Sequence, residues 1–272
     1  MKIAYCSDLH LEVGKDAIDF DLPDADILLL AGDICSPFDL RDAYEFAYIS
    51  GRQRNFLRDI SKKYKNVYWV MGNHEYWDNS LTGAFKDIND FMVENNITNI
   101  EVTSRDTFSL NGVLLIIATL WTDVDKGNYV QTLCGDYMRD YEKITVKNPI
   151  NPELLGRHLR IEDTIEFHKQ HRQFIKNCLP LSHVPKIVMT HHCPVLTPNK
   201  PKTERDTLKW FYYCTDMEDI ILDNPSIKYW IHGHDHSVSE YDIGQTKLLS
   251  NCRGYKGYEE MAETFKIKVF EI

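Results

Sequence analysis

The sequence predicts an α/β protein in which mixed β-sheets are layered with helices. Three observations carry this reading. Short apolar, β-branched runs alternate with helix-like stretches through the first hundred residues, and hairpin-type runs follow them. Five polar clusters each stand directly beyond the end of an apolar run.

Taken in order, "KIAYCS" (2–7) and "DILLLAGD" (26–33) read as short buried strands. A charged, helix-like stretch runs from about Leu40 to Lys65, and "NVYWVMG" (66–72) is a third strand rich in β-branched and aromatic residues. Residues 80–95 have helical spacing. "DTFSL" and "VLLIIAT" then flank Asn111-Gly112, a strong short-range hairpin signal. The stretch 121–180 is the least regular and closes on the helix-like "LRIEDTIEFHKQHRQFIKNCL", in which His168 and His171 read as part of a solvated face. "KIVMT", "IKYWIHG", "TKLLS" and "FKIKVFEI" bring the count to eight or nine strands. Linker-like Pro/Gly/Ser stretches are absent, so residues 1–272 read as a single domain, with 121–180 as a cap segment.

Hydrophobic residues at 43% and charged residues at 26% fit a soluble globular chain. No window approaches eighteen apolar residues, and the start "MKIAYCSDLH" lacks signal-peptide features, so neither a membrane span nor export is expected. Seven scattered cysteines without a C-x-x-C pair point to reduced thiols and a cytoplasmic location. A net charge of −10 argues against non-specific nucleic-acid binding. An anionic substrate remains compatible, because bound cations offset that charge locally.

The five clusters hold the chemistry. They are Asp8 and His10 in "SDLH", Asp33 in "AGD", Asn73, His74 and Glu75 in "GNHE", His191 and His192 in "HHCP", and His234 and His236 in "GHDH". Ligands bind at the carboxyl ends of strands in open α/β sheets. Carboxylates and imidazoles without a thiolate cluster suit Mn²⁺, Fe²⁺ or Zn²⁺ in a two-metal centre. Strand alternation would let Asp8 converge with His10, and His234 with His236. Gly32, Gly72 and Gly233 fit places where the backbone must turn or come close.

D-x-H, G-D, G-N-H-E, a His after a strand and G-H-x-H, in that order, resemble the calcineurin-like metallophosphoesterase superfamily. "GNHEYW", "TLWTDV", "MRDYEKI", "THHCP", "WIHGHDH" and "SNCRGY" are similar to its bacterial and phage-type subgroup. The resemblance implies a four-layer αββα sandwich, two mixed sheets between helical layers, with the site on one edge. It implies two divalent metal ions, Mn first and Fe, Zn or Ni as alternatives. Asp8, His10 and His236 would hold one, Asn73, His191 and His234 the other, and Asp33 would bridge them. His74 would be the general acid, and a hydroxide between the cations the nucleophile. His191 is preferred to its neighbour as ligand, leaving His192 to touch the substrate or point away. Arg253 would hold a phosphate oxygen or form a structural ion pair. Asp123, Arg139 and Asp140 would line the entrance, with Trp77 and Trp121 as walls. Glu75 and His232 would orient ligands or merely end their elements, and Asp235 would face away as a solvated or supporting carboxylate.

The implied function is hydrolysis of a phosphate mono- or diester, small or nucleotide-like. A catalytically silent scaffold is the alternative from another class, and the complete ligand set favours the enzyme. "GDICSPFD" and "VMGNHE" lack the arginines of protein phosphatases, and the chain carries no added region of the kind nucleases use.

Overall fold

The computed structural model describes residues 1–13, 20–40, 47–128, 138–147, 156–196 and 210–272. A five-stranded sheet runs in the order β14 (Lys268–Glu271), β1 (Lys2–Cys6), β2 (Ile27–Leu30), β3 (Asn66–Val70), β5 (Ile100–Thr103). A six-stranded sheet runs β12 (Val238–Ile243), β13 (Thr246–Asn251), β11 (Ile227–His232), β10 (Lys186–Thr190), β7 (Val113–Ala118), β6 (Arg105–Leu110). Both are mixed: β1, β2, β3 and β5 pair in parallel and so do β7, β10, β11 and β13, with antiparallel strands at the edges.

Period-2 alternation builds the layers. Ile3, Tyr5, Leu29 and Val70 of the first sheet meet Leu115, Ile117, Ile187, Met189 and Ile231 of the second in one shared core. Their neighbours Ala4, Cys6, Leu28, Leu30 and Trp69 face outward, onto the Ala47–Lys63 and Leu81–Glu94 helices. On the other side Ile116, Val188, Trp230 and Leu248 face the Ile161–Cys178 and Glu218–Asp223 helices. Helices, sheet, sheet and helices make the expected four layers.

The Asn111-Gly112 hairpin forms as expected, with Leu110 opposite Val113 and both turn residues at positive φ, 47° and 86°. The expected helix from Leu40 is helical over Ala47–Lys63, and residues 41–46 lie outside the described residues. Two expectations change. The described residues hold fourteen strands, because β5, the half-exposed edge strand β12 and a small sheet of β4 (Asn79–Ser80), β8 (Ile144–Val146) and β9 (Arg157–His158) carry weak apolar patterns. His168 and His171 are not solvated: they lie in the buried stripe Thr164, His168, His171, Ile175, Cys178 that rests on the six-stranded sheet.

Because β1–β3 align in parallel, the loops after them open on one edge. The loops after β10 and β11 open on the same edge of the other sheet, and the two edges are joined by Thr119 Oγ1 donating to the Met71 carbonyl (2.7 Å) and the His234 N–H donating to the Asp8 carboxylate (3.0 Å). All five polar clusters arrive there.

Candidate metal centre

The seven ligand-type residues stand just past their strands, five of them in left-handed backbone. Asp8, His10, Asp33, His234 and His236 all have φ between 44° and 70°. Non-glycine residues seldom adopt this region, and such strain gathers at functional sites. Turns, not strand alternation, therefore bring Asp8 to His10 and His234 to His236. At Gly72 and Gly233 a side chain would overlap the Asp33 and Asp8 carboxylates, so glycine is required for that close approach.

Tautomers are set by neighbours on the far side of each ring. The Nδ1–H of His191 donates to the Ala31 carbonyl (2.9 Å), that of His236 to the Glu259 carboxylate (2.7 Å), and that of His10 to Glu12 (3.1 Å). In the neutral rings each Nε2 is then a lone pair, although without a cation burial is outweighed at His191 by the Asp33 and Asp8 charges, which favour a proton there. Around His191 Nε2 lie Asn73 Oδ1 at 2.9 Å, His234 Nδ1 at 3.1 Å and Asp33 Oδ1 at 3.4 Å. Around His10 Nε2 lie His236 Nε2 at 3.1 Å, Asp33 Oδ2 at 3.9 Å and Asp8 Oδ1 at 4.0 Å. Asp33 thus turns one oxygen to each group. So many converging oxygen and nitrogen donors suit a divalent cation in place of shared protons. The donor set fits two divalent metals. Asp8, Asp33, His191 and His234 present ligand atoms within 4.8 Å of one another, as do Asp8, His10 and His236.

A ring of carboxylates holds this set in place. Asp140 accepts from Asn73 Nδ2 (2.9 Å) and Trp77 Nε1 (2.6 Å), which turns the Asn73 carbonyl oxygen toward His191. Glu75 accepts from the backbone N–H of Asp33, Ile34, Cys35 and Gly72, so it shapes the Asp33 loop. Burial and the Asp33 charge push Glu75 up to about 8, while the His191 charge and those N–H donors pull it back. Asp33 itself is held well below the usual carboxylate range: burial opposes this, and the nearby His191 and His74 charges prevail.

His74 sits at the cleft side of the Asp33 carboxylate, with Nε2 4.0 Å from Oδ2. Its Nδ1–H donates to Glu12 Oε1 (2.9 Å), its Nε2 faces the Tyr255 hydroxyl (3.2 Å), and its ring stacks on Trp77. Burial works against its charge, but Asp33 and Glu12 raise its pKa to about 9. A cleft of about 390 Å³ opens above, lined by Asp33, Asn73, His74, Trp77, Arg139 and Tyr213 among others.

Every residue expected as a ligand, with His74 and Asp33, is brought to this edge. The three residues expected at the substrate stand outside the cleft lining. His192 is buried with Nδ1 toward the Thr119 carbonyl (3.1 Å), Arg253 is buried and donates to the Leu9 carbonyl (3.1 Å) with its guanidinium over Phe20, and Asp123 accepts from Thr215. Arg139, Asp140 and Trp77 do line the cleft; Trp121 packs against His192 instead. Glu12, Tyr255 and Glu259 were missed. Glu12 could have been found from its spacing two residues beyond His10, whereas the Tyr255 and Glu259 loop carries no such signal.

Compared with known proteins, residues 1–238 match the family model described as calcineurin-like phosphoesterase. An uncharacterized protein of Acanthamoeba polyphaga mimivirus is 28% identical over 93% of this chain and 91% of its own length. Among solved structures, the phosphopantetheinyl hydrolase of Mycobacterium tuberculosis superposes with a TM-score of 0.62 at 14% identity, covering 93% of this chain and 89% of that one, which shows a shared fold. A dimetal phosphatase from Danio rerio matches at a TM-score of 0.48 and 14% identity, over 92% of this chain and 86% of that one.

Proposed function

This chain belongs to the calcineurin-like phosphoesterase family, and on that premise we propose that it hydrolyses a phosphate mono- or diester with two divalent cations. Asp8, His10 and His236 would hold one, Asn73, His191 and His234 the other, with Asp33 shared. The observation that carries this is the pair of converging donor groups on either side of Asp33, closed by imidazole nitrogens, of which those of His10, His191 and His236 are already hydrogen-bonded on their far sides. Bound there, two cations lower the pKa of water to about 7 and offset charge on a phosphoryl oxygen.

The chain's own residues do the rest. His74, kept protonated by Glu12 and Asp33, presents Nε2–H toward the cleft and donates a proton to the leaving-group oxygen, work worth ~10²–10⁴-fold. Asp140 and Glu259 fix the Asn73 amide and the His236 ring. Trp77, Tyr213 and Arg139 give the cleft flat apolar walls and one cation, and its volume suits a small or nucleotide-like ester. We also propose that Met138–Lys143, within the 121–180 segment, caps the site. Manganese is our first choice of metal. No helix among the described residues is long and apolar enough to cross a membrane, and six cysteines are buried and free, which supports a reducing, cytoplasmic setting.

The test is hydrolysis of p-nitrophenyl phosphate and bis-p-nitrophenyl phosphate with and without Mn²⁺, together with bound-metal analysis. His74→Ala is expected to retain its metals and to lose ~10²–10⁴-fold in turnover, more for poor leaving groups than for good ones. Metal binding without hydrolysis of either ester or of a nucleotide panel would overturn the enzyme reading in favour of a scaffold.

A further inference from the structure

A second cluster of metal-competent side chains lies behind the same loops, on the outer face of the six-stranded sheet. His232 follows Trp230 by two residues in β11 and shares its direction, away from the Asp33 site and into the outer core that holds Trp230, Cys193 and Cys214. A ligand atom of His232, the Cys193 sulfur and an Asp235 oxygen all lie within 4.8 Å of one another. Cys214 stands beside Cys193 in a backbone bridge, its thiol turned to the Cys193 sulfur. Of the two places expected for Asp235 it takes the supporting one, not the solvated one: its side chain is 2% exposed, held by Ser237 Oγ (2.8 Å) with Oδ1 4.0 Å from His232 Nδ1.

Two atoms here are unsatisfied. His232 Nδ1 lies 3.4 Å from the Gly233 carbonyl, but its Nε2 is sealed from solvent with no hydrogen-bond partner. The Tyr241 hydroxyl, close enough to feel the charges of Cys193, Asp235 and Cys214, is buried without a partner as well. A thiol, an imidazole and a carboxylate buried together at this cost point to a missing cationic partner.

We propose that Cys193, Cys214, His232 and Asp235 form a separate structural site for one zinc ion. Cys193, His232 and Asp235 already supply a sulfur, a nitrogen and an oxygen within 4.8 Å of one another, the Cys214 thiol beside Cys193 would turn in to complete the four ligands zinc takes, and the thiolates distinguish the set from the oxygen- and nitrogen-only centre around Asp33. Cys193 and His232 are buried and Asp235 alone reaches the cleft lining, so four protein ligands would fill the coordination and the role is architectural. The site joins the segments that matter most to the other centre. Cys193 is two residues beyond His191, His232 and Asp235 flank His234, and Cys214 follows Tyr213, whose ring packs 5.1 Å from that of His234. Zinc there would lock the loops that carry His191 and His234.

Cobalt substitution tests this on the full chain. The reduced protein is stripped with chelator and loaded with Co²⁺, and the near-ultraviolet thiolate-to-cobalt charge-transfer band is recorded. The band is expected in the wild type, is expected to disappear on adding one equivalent of zinc, and is expected to be absent from Cys193→Ser and Cys214→Ser. Zinc content should fall by one in those variants. The centre around Asp33 has no sulfur donor, so its cobalt gives no such band, and failure of the phosphoesterase reading leaves this test intact. Cobalt binding to the wild type without a charge-transfer band overturns the proposal even if the variants do not fold. So does a Cys193–Cys214 disulfide in protein purified under reducing conditions, or unchanged zinc content in folded variants.

Discussion

Single side chains determine whether this edge of the sandwich can work. The residue types were legible in the sequence because aspartate, histidine and asparagine directly after apolar strands have few structural reasons to be there. Their convergence was right for a different reason from the one expected, since Asp8, His10, His234 and His236 are placed by left-handed turns. Less legible were the carboxylates behind them. Glu12 Oε1 accepts from both His10 Nδ1 and His74 Nδ1, so one oxygen orients the ring of a proposed metal ligand and that of the proposed proton donor together. The histidine contacts hold Glu12 down at about 2 despite its burial. Glu12→Gln keeps the shape and an acceptor oxygen but removes the charge that favours protonated His74. We expect metal affinity to fall ~10–100-fold, the usual cost of losing such an outer partner. With saturating Mn²⁺, turnover should still fall, and more for poor leaving groups than for good ones. Equal losses across leaving groups would show that Glu12 acts only through His10.

At the level of elements, the Ile161–Cys178 helix shows where periodicity is informative and where it stops. Its helical spacing was plain, yet the buried stripe contains Thr164, His168 and His171, which no apolar pattern marks. The reason lies in the partner segment: after β7 the chain turns through Leu120 and Trp121 at φ 74° and 53°, and His171 Nδ1 accepts the Leu120 N–H at 3.0 Å. A histidine is buried because an amide needs an acceptor. Burial, with the Arg105 charge adding to it, holds the His171 pKa at about 3, against 6.5 for an unperturbed ring. The unfolded chain therefore binds a proton below about pH 6.5 that the folded chain refuses until about pH 3. Its contribution is complete above that window and is lost as pH falls through it, at up to ~1.4 kcal/mol per pH unit. Between pH 7.5 and pH 5 the loss should be ~2 kcal/mol. His171→Asn offers the amide a non-titrating acceptor. Urea unfolding in EDTA at both pH values should show a smaller acid loss for the variant by about that amount, and equal losses in the two proteins would refute the assignment.

For the whole molecule, the layers followed from alternating apolar strands, while edge strands such as β12 escaped because half their side chains face water. What no local pattern could show is how the ligands divide. Asp8, His10, Asp33 and Asn73 extend from the five-stranded sheet, and His191, His234 and His236 from the six-stranded one. A cation held between them is a cross-link between sheets. Removing it brings His10 and His236 Nε2 face to face at 3.1 Å and takes the divalent charge away from the buried Asp8 and Asp33 carboxylates. Such a binder stabilises the folded state by RT ln(1 + [L]/Kd), about 4 kcal/mol at a thousandfold excess over Kd. Chelation should therefore lower the thermal midpoint by several degrees, and titrated Mn²⁺ should restore it along that logarithmic curve. The Asp33→Asn variant should lose most of the restoration, since its shared oxygen pair is no longer a charged bridge. If chelator and Mn²⁺ leave the wild-type midpoint unchanged, the two sheets are held by their apolar core alone and the cations do not link them.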